Sequence, residues 1–273
     1  MKTSIAIPDS SLIDESTKLG KTQKISVLAR ICCVFKIGEI FIYNDANADK
    51  QDRILLATIL KYLVTPPYFR KQLYPKMNLL KFAGAMHPLK IPSHTKIKNP
   101  AQIKSGDKRM GIIVNFKGKK FFDVGIHYMI PYFGKEKIGS RVSLQFKTGY
   151  PNFSVKEIPS EQIDEYWGYK VQERSNLHSV ISSWEGDIIL TSRKGQTLKN
   201  SHLRWFLDSP KPKLIVFGST EKGLHEFLGG KITSYQNSKI LNFFPNQGTE
   251  TVRLEEALMG TLSILNIART GYT

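Results

Sequence analysis

The stretch LIVFGSTEKGLHEF, Leu214–Phe227, begins as an apolar strand and ends in a helical pattern, with Gly218 and Gly223 bracketing the turn between them. Strand, glycine turn and helix is the arrangement that aims backbone N–H groups at a phosphate. The letters exclude that ligand. A Walker loop needs Lys and then Ser or Thr directly after its second glycine, whereas Leu224 and His225 follow Gly223. A dinucleotide fingerprint needs three glycines as G-x-G-x-x-G, and this turn has two, at another spacing. A nucleotide hydrolase is disfavoured on the same residues. What they leave open is either an ordinary βα connection or a loop that holds some other ligand.

Two neighbouring segments repeat the pattern. GDIILTSRKG, from Gly186, is a strand entering a Thr-Ser-Arg-Lys-Gly loop, and SKILNFF, from Ser238, enters a loop at Pro245–Thr251. A helix follows, with Leu254, Ala257, Leu258, Leu262 and Leu265 on one face. Three strand-to-loop junctions thus fall at the carboxyl ends of strands, where open α/β sheets bind ligands. The N-terminal part alternates in the same way. KTSIAIP reads as a strand, Ile25, Leu28, Ala29, Cys32 and Phe35 have helical spacing, and EIFIYND from Glu39 is a second strand. A helix with Leu55, Leu56, Ile59, Leu60 and Leu63 on one face then runs until Thr65, Pro66 and Pro67 stop it.

The middle of the chain has another character. After the diproline, Tyr68, Phe69 and Tyr74 interleave with Arg70, Lys71 and Lys76, a composition suited to stacking on bases and contacting phosphates, or else a connector pinned to the core by its rings. MGIIVNF, KKFFDVGI and SRVSLQF are short β patterns, the first two joined by a Lys117-Gly118 turn. Several short strands without helices predict a small barrel, OB-like in kind.

Charge gives the function class. With 273 residues and 41% hydrophobic composition, the chain has the length for one large or two modest globular domains. Forty Lys and Arg against 23 Asp and Glu give a net charge of +17, which calls for a polyanion, nucleic acid ahead of an anionic membrane surface. Between Lys96 and Lys147 twelve Lys and Arg, Lys98 among them, face only Asp107, Asp123 and Glu136, an excess of nine. If about six phosphates are neutralised, binding weakens about a thousandfold between 50 and 200 mM salt. No apolar run reaches the roughly 20 residues of a membrane span and the N-terminus lacks a signal-peptide pattern, so the expectation is a soluble cytoplasmic protein. Adjacent Cys32 and Cys33 fit neither a disulfide framework nor a zinc site, and the six histidines are scattered, so no metal is expected.

FGSTEKGL and NFFPNQGTETVRLEEAL resemble the paired C-terminal motifs of the SPOUT, or trefoil-knot, RNA methyltransferases. TPPYFRKQLYP, PLKIPSH, YWGYKV and DIILTSRKG are similar to stations of the archaeal and eukaryotic subgroup that carries an inserted β-barrel. The resemblance implies an α/β SPOUT-type open sheet with a C-terminal trefoil knot. It divides the chain into residues 1–80 and 160–273 of the methyltransferase domain, around an OB-like RNA-binding barrel at 81–159. It further implies S-adenosyl-L-methionine as cofactor and a homodimer that completes the active site. Carried over, the cofactor loops are Thr191, Ser192 and Arg193; Gly218, Ser219 and Gly223; and Asn242, Phe243, Phe244, Gln247, Gly248, Thr249 and Thr251. Two departures from the subgroup are Thr220, where a proline is expected, and Ser93 before His94, where a second histidine is common.

Such a cofactor agrees with the missing lysine, since a sulfonium cation has no phosphate to offer and would be repelled by an added positive charge. Its adenine and ribose need close main-chain approach, which glycine permits. Arg253, at the start of the last helix, is the candidate to orient a phosphate or a developing oxyanion. Glu255 is a candidate base, although Glu255 and Glu256 also suit the first turn of a helix. Arg70, Lys71, Lys117, Lys119, Lys120 and Arg141 are the expected RNA contacts. The expected activity is methyl transfer to structured RNA, ribosomal RNA being the first candidate, at a base nitrogen or a ribose 2′-hydroxyl. The rival is a non-catalytic RNA-binding protein on the same scaffold.

Overall fold

The computed structural model describes residues 2–46, 48–97, 99–126, 128–219 and 221–270; Lys98 and Thr220 lie outside them. Strand β1 (Thr3–Pro8) leads into α1 (Lys18–Val34), whose first turn is capped by the Thr17 hydroxyl accepting from the Gly20 N–H at 3.0 Å. Strand β2 (Glu39–Tyr43) and α2 (Lys50–Val64) follow. The diproline ends α2 at Val64, as expected, but the next segment is not a connector: Pro67 occupies the first turn of a further helix, α3 (Pro67–Leu73). The missing N–H and fixed φ that forbid proline inside a helix suit it to a helix start.

Five strands then form an antiparallel sheet: β3 (Lys108–Phe116), β4 (Lys119–Asp123), β5 (Met129–Pro131), β6 (Arg141–Thr148) and β7 (Ser154–Glu157), in the order β5-β4-β3-β6-β7. Lys117 and Gly118 both have positive φ, 49° and 79°, and join Phe116 to its partner Lys119. That is the two-residue hairpin whose twist matches the strands it connects.

The rest returns to α/β order with β8 (Lys170–Arg174), α4 (Leu177–Ser182), β9 (Asp187–Thr197), α5 (Asn200–Asp208), β10 (Lys213–Val216), α6 (Leu224–Leu228), β11 (Ser238–Asn242) and α7 (Leu254–Arg269). These strands complete a six-stranded parallel sheet, β11-β9-β10-β1-β2-β8. Leu214–Phe217 is fully buried, the unbroken apolar run of a parallel strand covered on both faces. Cys32 and Cys33 are buried free thiols.

Two compact units result. One comprises residues 1–64, 78–89 and 168–273 and holds the parallel sheet; the other comprises 65–77 and 90–167 and holds the antiparallel sheet. The first has a core that includes Tyr43, Leu190, Leu214, Val216 and Leu224. In the second, one cluster includes Ile113, Phe122, Leu144 and Phe146, and another places Phe69 against Ile112 and Val114, with Tyr68 packed beside it. Phe69 is fully buried, so the ring and cation mixture after the diproline is in part the pinning of α3 to the sheet, not a free stacking surface. Among the described residues no helix is long and apolar enough to cross a membrane.

At the start of β10, Lys213 is fully buried and pairs with Asp187, its register partner on β9, while donating to the Ser209 carbonyl at 3.0 Å. Lys213→Ala leaves Asp187 as an uncompensated buried charge, and urea unfolding is expected to show a loss of about 3–5 kcal/mol. Replacing both partners with apolar residues should recover most of it. A single-variant loss below about 1 kcal/mol would mean that the pair is dispensable.

Candidate active site

The loops after β9, β10 and β11 surround a cavity of about 560 Å³. Its shape begins with a break in strand pairing. β11 follows β9 from Ser238↔Ile188 to Ile240↔Leu190, and the next pair is Leu241↔Gln196. Residues 191–195 are therefore an excursion out of the ladder, and Thr191, Ser192, Arg193 and Lys194 line the cavity. The Thr191 hydroxyl donates to the Val216 carbonyl at 2.8 Å, which fixes the start of the excursion to β10. A side chain at Gly195 would place its Cβ 2.9 Å from the backbone of Ile240 and Leu241, so glycine is required where the two chains close again.

The second loop is LIVFGSTEKGLHEF. Gly218 sits in a tight turn: an added Cβ would lie 2.8 Å from the Lys222 carbonyl, which accepts from the Ser219 N–H at 3.0 Å. Gly223 differs, because an added Cβ there meets no protein atom within 4 Å. Its open side belongs to the cavity. Tyr43 donates its phenol to the Phe217 carbonyl at 2.6 Å, directly before Gly218. Burial, with Asp45 and Asp9 nearby, pushes this phenol well above the usual tyrosine range, so the donor is present at every physiological pH. Lys222 bonds Asp45 at 2.9 Å, and the Asp45 N–H in turn bonds Asp9 at 2.7 Å. The turn is thus tied to the carboxyl ends of β1 and β2.

The third loop is held from within. Asn242 accepts from the Phe244 N–H at 2.8 Å and donates to the Arg193 carbonyl at 3.1 Å, while Arg193 reaches the Glu250 carbonyl at 2.8 Å. Gln247 donates to the carbonyls of Thr249 and Glu250 at 2.9 and 3.1 Å. Phe244 packs where Gly260 of α7 has no side chain, since a Cβ there would come within 2.4 Å of the ring.

Eleven residues carried over for the cofactor meet at this cavity: the three of the first loop, Gly218, Ser219 and Gly223 of the second, and Asn242, Phe243, Phe244, Gln247 and Thr251 of the third. Gly248 and Thr249 are outside its lining. Arg253 is also outside it, exposed at the start of α7 between the lining residues Val252 and Leu254, and 3.9 Å from Glu15. Glu255 points elsewhere. Its carboxylate lies 3.1 Å from the ammonium of buried Lys24, whose hydrogen bonds go to Asp14 at 2.6 Å. Glu256 accepts from the Arg253 N–H at 2.9 Å, the helix-terminus role that carboxylates in a first turn suit.

Reading the sequence missed several lining residues. Glu221 and Glu226 join Glu250 of the third loop to give three carboxylates in a lining that also holds Arg193 and Lys194. His225 and Thr261 also line the cavity, and the His225 Nε2 and Thr261 Oγ1 atoms are buried without a hydrogen-bond partner among the described residues. Thr261 follows the apolar pattern of α7 and carries no separate signal in the letters.

The expected RNA contacts all belong to the antiparallel unit. Arg70 and Arg141 converge on Thr65, donating to its carbonyl and hydroxyl at 2.9 Å each. Lys71 is exposed on α3, and Lys117 and Lys119 are exposed at the hairpin. Lys120 is half-buried and donates to the Glu136 carbonyl at 2.7 Å. Among the described residues no group of three His, Cys, Asp or Glu side chains is placed to hold a metal.

The protein thus combines a parallel sheet that has a loop-framed cavity at its carboxyl ends with a separate antiparallel unit that carries the exposed basic hairpin. The chain matches, over residues 2–265, the family described as "Putative RNA methyltransferase", and it belongs to that family. It is an RNA methyltransferase, and the family implies a methyl donor of the S-adenosylmethionine type. It is 28% identical, across 98% of its length, to an uncharacterized protein of Halobacterium salinarum, of which it covers 99%. It is 27% identical, across 96% of its length, to the human 28S rRNA (uridine-N(3))-methyltransferase, of which it covers 77%. With the Drosophila melanogaster protein of the same name the identity is 25%, across 96% of this chain and 61% of the relative.

Thr261 is fully buried, and its unpartnered hydroxyl is a cost that the ligand-free protein bears. Thr261→Val should therefore leave urea stability unchanged or raise it by about 1 kcal/mol in the absence of ligand. A loss of about 1 kcal/mol or more would mean that the hydroxyl has a partner within the protein.

Proposed function

We propose that this chain is an S-adenosylmethionine-dependent methyltransferase acting on N3 of a uridine in ribosomal RNA, with the donor held in the cavity of the three loops. One observation carries the reading: three adjacent parallel strands end in loops that close on a single cavity with carboxylates and orphaned hydrogen-bonding atoms in its wall. The fit is chemical. Three carboxylates suit a cationic sulfonium, the open side of Gly223 allows close approach to the main chain, and Thr261 Oγ1 and His225 Nε2 offer partners for a nucleoside. The relatives support the acceptor, since the human and Drosophila proteins carry uridine-N(3) in their names. They give no support to the ribose 2′-hydroxyl that the sequence reading had kept open, and that acceptor is set aside.

Bound S-adenosylmethionine supplies an electrophilic methyl group on sulfur. The protein's task is alignment of the acceptor and exclusion of water. Phe243 and Phe244 wall the cavity, and the Tyr43, Thr191 and Lys222 bonds hold the loops in place before any ligand arrives. N3 of uridine is flanked by two carbonyls, so loss of its proton spreads negative charge onto their oxygens. Arg193 and Lys194 line the cavity, and Arg253 begins the adjoining helix; these cations are the groups of this chain suited to receive that charge. Further parts of the proposal are a SPOUT arrangement with knotted C-terminal loops, an OB-like form of the antiparallel unit, and a cytoplasmic homodimer. The return of β9 to β11 after a five-residue excursion agrees with loops that pass one another closely.

Calorimetry with S-adenosylmethionine, followed by labelled-methyl transfer to ribosomal RNA and mapping of the modified position, tests the reading. Binding and an N3-methyluridine product are expected. Gly223→Val, which fills the open side of the cavity, should abolish both while leaving RNA affinity intact, and Thr261→Val should weaken donor binding. Absence of both binding and transfer in the unaltered protein would favour the non-catalytic RNA-binding alternative.

Charge reversal at Lys117, Lys119 and Lys120 is expected to weaken RNA binding and to reduce the slope of log affinity against log salt by roughly two to three. An unchanged slope would move the phosphate contacts away from this hairpin.

A further inference from the structure

The antiparallel unit contains a second cavity, of about 520 Å³, which the activity above does not use. Its lining joins aromatic and apolar side chains, Tyr68, Met110, Phe146 and Trp167 among them, to the guanidinium of Arg109. Sequence reading counted Arg109 in the basic surface of this unit. The structure buries it instead, with 7% of its surface exposed. Two arms of the guanidinium are fixed: Nε donates to the Val124 carbonyl at 2.5 Å and Nη1 to the Thr95 carbonyl at 3.1 Å. Its face lies 4.3 Å from the Tyr68 ring centre, and Gly125, at φ 71°, makes room for that ring, since a Cβ there would be 2.3 Å from it. Nη2 has no partner.

A buried guanidinium N–H without an acceptor is a rare arrangement in a native interior. Here it is held rigidly by its other two arms, which makes it a preorganised donor. The remaining lining decides what it would meet. Asp107, Asp164 and Glu165 border the same cavity, and among the described residues only Asp164 has a cationic partner, Lys108 at 3.0 Å. Those carboxylates disfavour a phosphate and can accept from N–H groups. The complementary ligand is flat, uncharged, and carries both a carbonyl acceptor and N–H donors.

We infer that this cavity receives one unpaired nucleobase of the bound RNA, with a base carbonyl oxygen on Arg109 Nη2 and the ring among the aromatic side chains. Uracil, guanine and cytosine have such a carbonyl, and adenine does not. Extruded single bases are what RNA-binding surfaces read, by stacking and by their Watson–Crick edges. The inference rests on the RNA reading above and adds a base-selective site to it, distinct from the phosphate-contacting lysines.

Two experiments on the full chain test it. In the first, a short oligouridylate carrying 5-iodouridine is photo-crosslinked to the unaltered protein and the adducts are mapped by mass spectrometry. Adducts at Tyr68, Phe146 or Trp167 are expected, and adducts confined to other residues would overturn the site. In the second, Met110→Trp fills the cavity, with circular dichroism confirming the fold. Oligouridylate affinity should fall about tenfold, the scale of one stacked base, with no change in its salt slope, while oligoadenylate affinity changes little. Equal binding of the two oligomers by the unaltered protein, or full oligouridylate affinity in a folded Met110→Trp variant, overturns the inference but leaves the methyltransferase reading standing. No RNA binding by the unaltered protein overturns both.

Discussion

The five residues by which β9 leaves its partner and then returns to it are the constraint on which the candidate site depends. Regular pairing of β9 with β11 would carry Thr191–Gly195 along the sheet and leave no space at its edge. Instead β11 advances from Ile240 to Leu241 while β9 advances from Leu190 to Gln196. The surplus chain is displaced into the first wall of the cavity. Closure is possible because Gly195 lets the backbones come together where any Cβ would collide with Ile240 and Leu241. From there the bonds run onward, Arg193 with Asn242 and Glu250, Thr191 with Val216, so that three loops from three strands behave as one rim.

That rim is held by neutral and charge-assisted hydrogen bonds to main-chain atoms more than by apolar packing. This suits a site whose ligand is polar and must exchange. Behind it the support becomes ionic and buried: Lys222 with Asp45, Arg53 with Asp9, and Lys24 with Asp14 and Glu255. Each pair has a buried member whose charge is costly to leave alone, so together they tie α2 to the end of β1, the turn after β10 to the end of β2, and α1 to α7. The surplus positive charge of the chain has a different use. At the exposed hairpin of the antiparallel unit it meets solvent and is available to a polyanion, whereas Arg109 of the same unit is turned inward.

Much of this was legible in the letters, and the failures have physical reasons. Strands β1, β2, β9 and β10 announce themselves as apolar runs, because burial on both faces leaves little choice of residue, whereas the edge strand β8, KVQER, carries no such pattern. The two glycines of LIVFGSTEKGLHEF mark the right loop but do different work: the Lys222 carbonyl leaves no room for a side chain at Gly218, whereas Gly223 faces open space in the cavity wall. Gln196 and Thr197 are polar, so the return of β9 to its ladder leaves no pattern to read. Proline at 66 and 67 signals a stop, and the same chemistry also starts α3. Tyr68 and Phe69 read equally as a stacking surface or as rings pinned to the core, because a sequence does not say which way a ring faces. Glu255 read either as a candidate base or as a first-turn carboxylate, and the sequence carries no sign of its ion pair with Lys24, a residue 231 positions away. Thr261 and His225 sit at ordinary helix positions, and only the structure shows their polar atoms without partners.

The central claim is that three loops from β9, β10 and β11 form one site for a methyl donor. Hydrogen exchange of backbone amides, followed by mass spectrometry with and without saturating S-adenosylmethionine, tests it most directly. The account predicts concerted protection of residues 191–195, 217–223 and 242–252, with the hairpin at Lys117 and Gly118 unchanged. Protection limited to one of the three loops, or confined to the antiparallel unit, would contradict it.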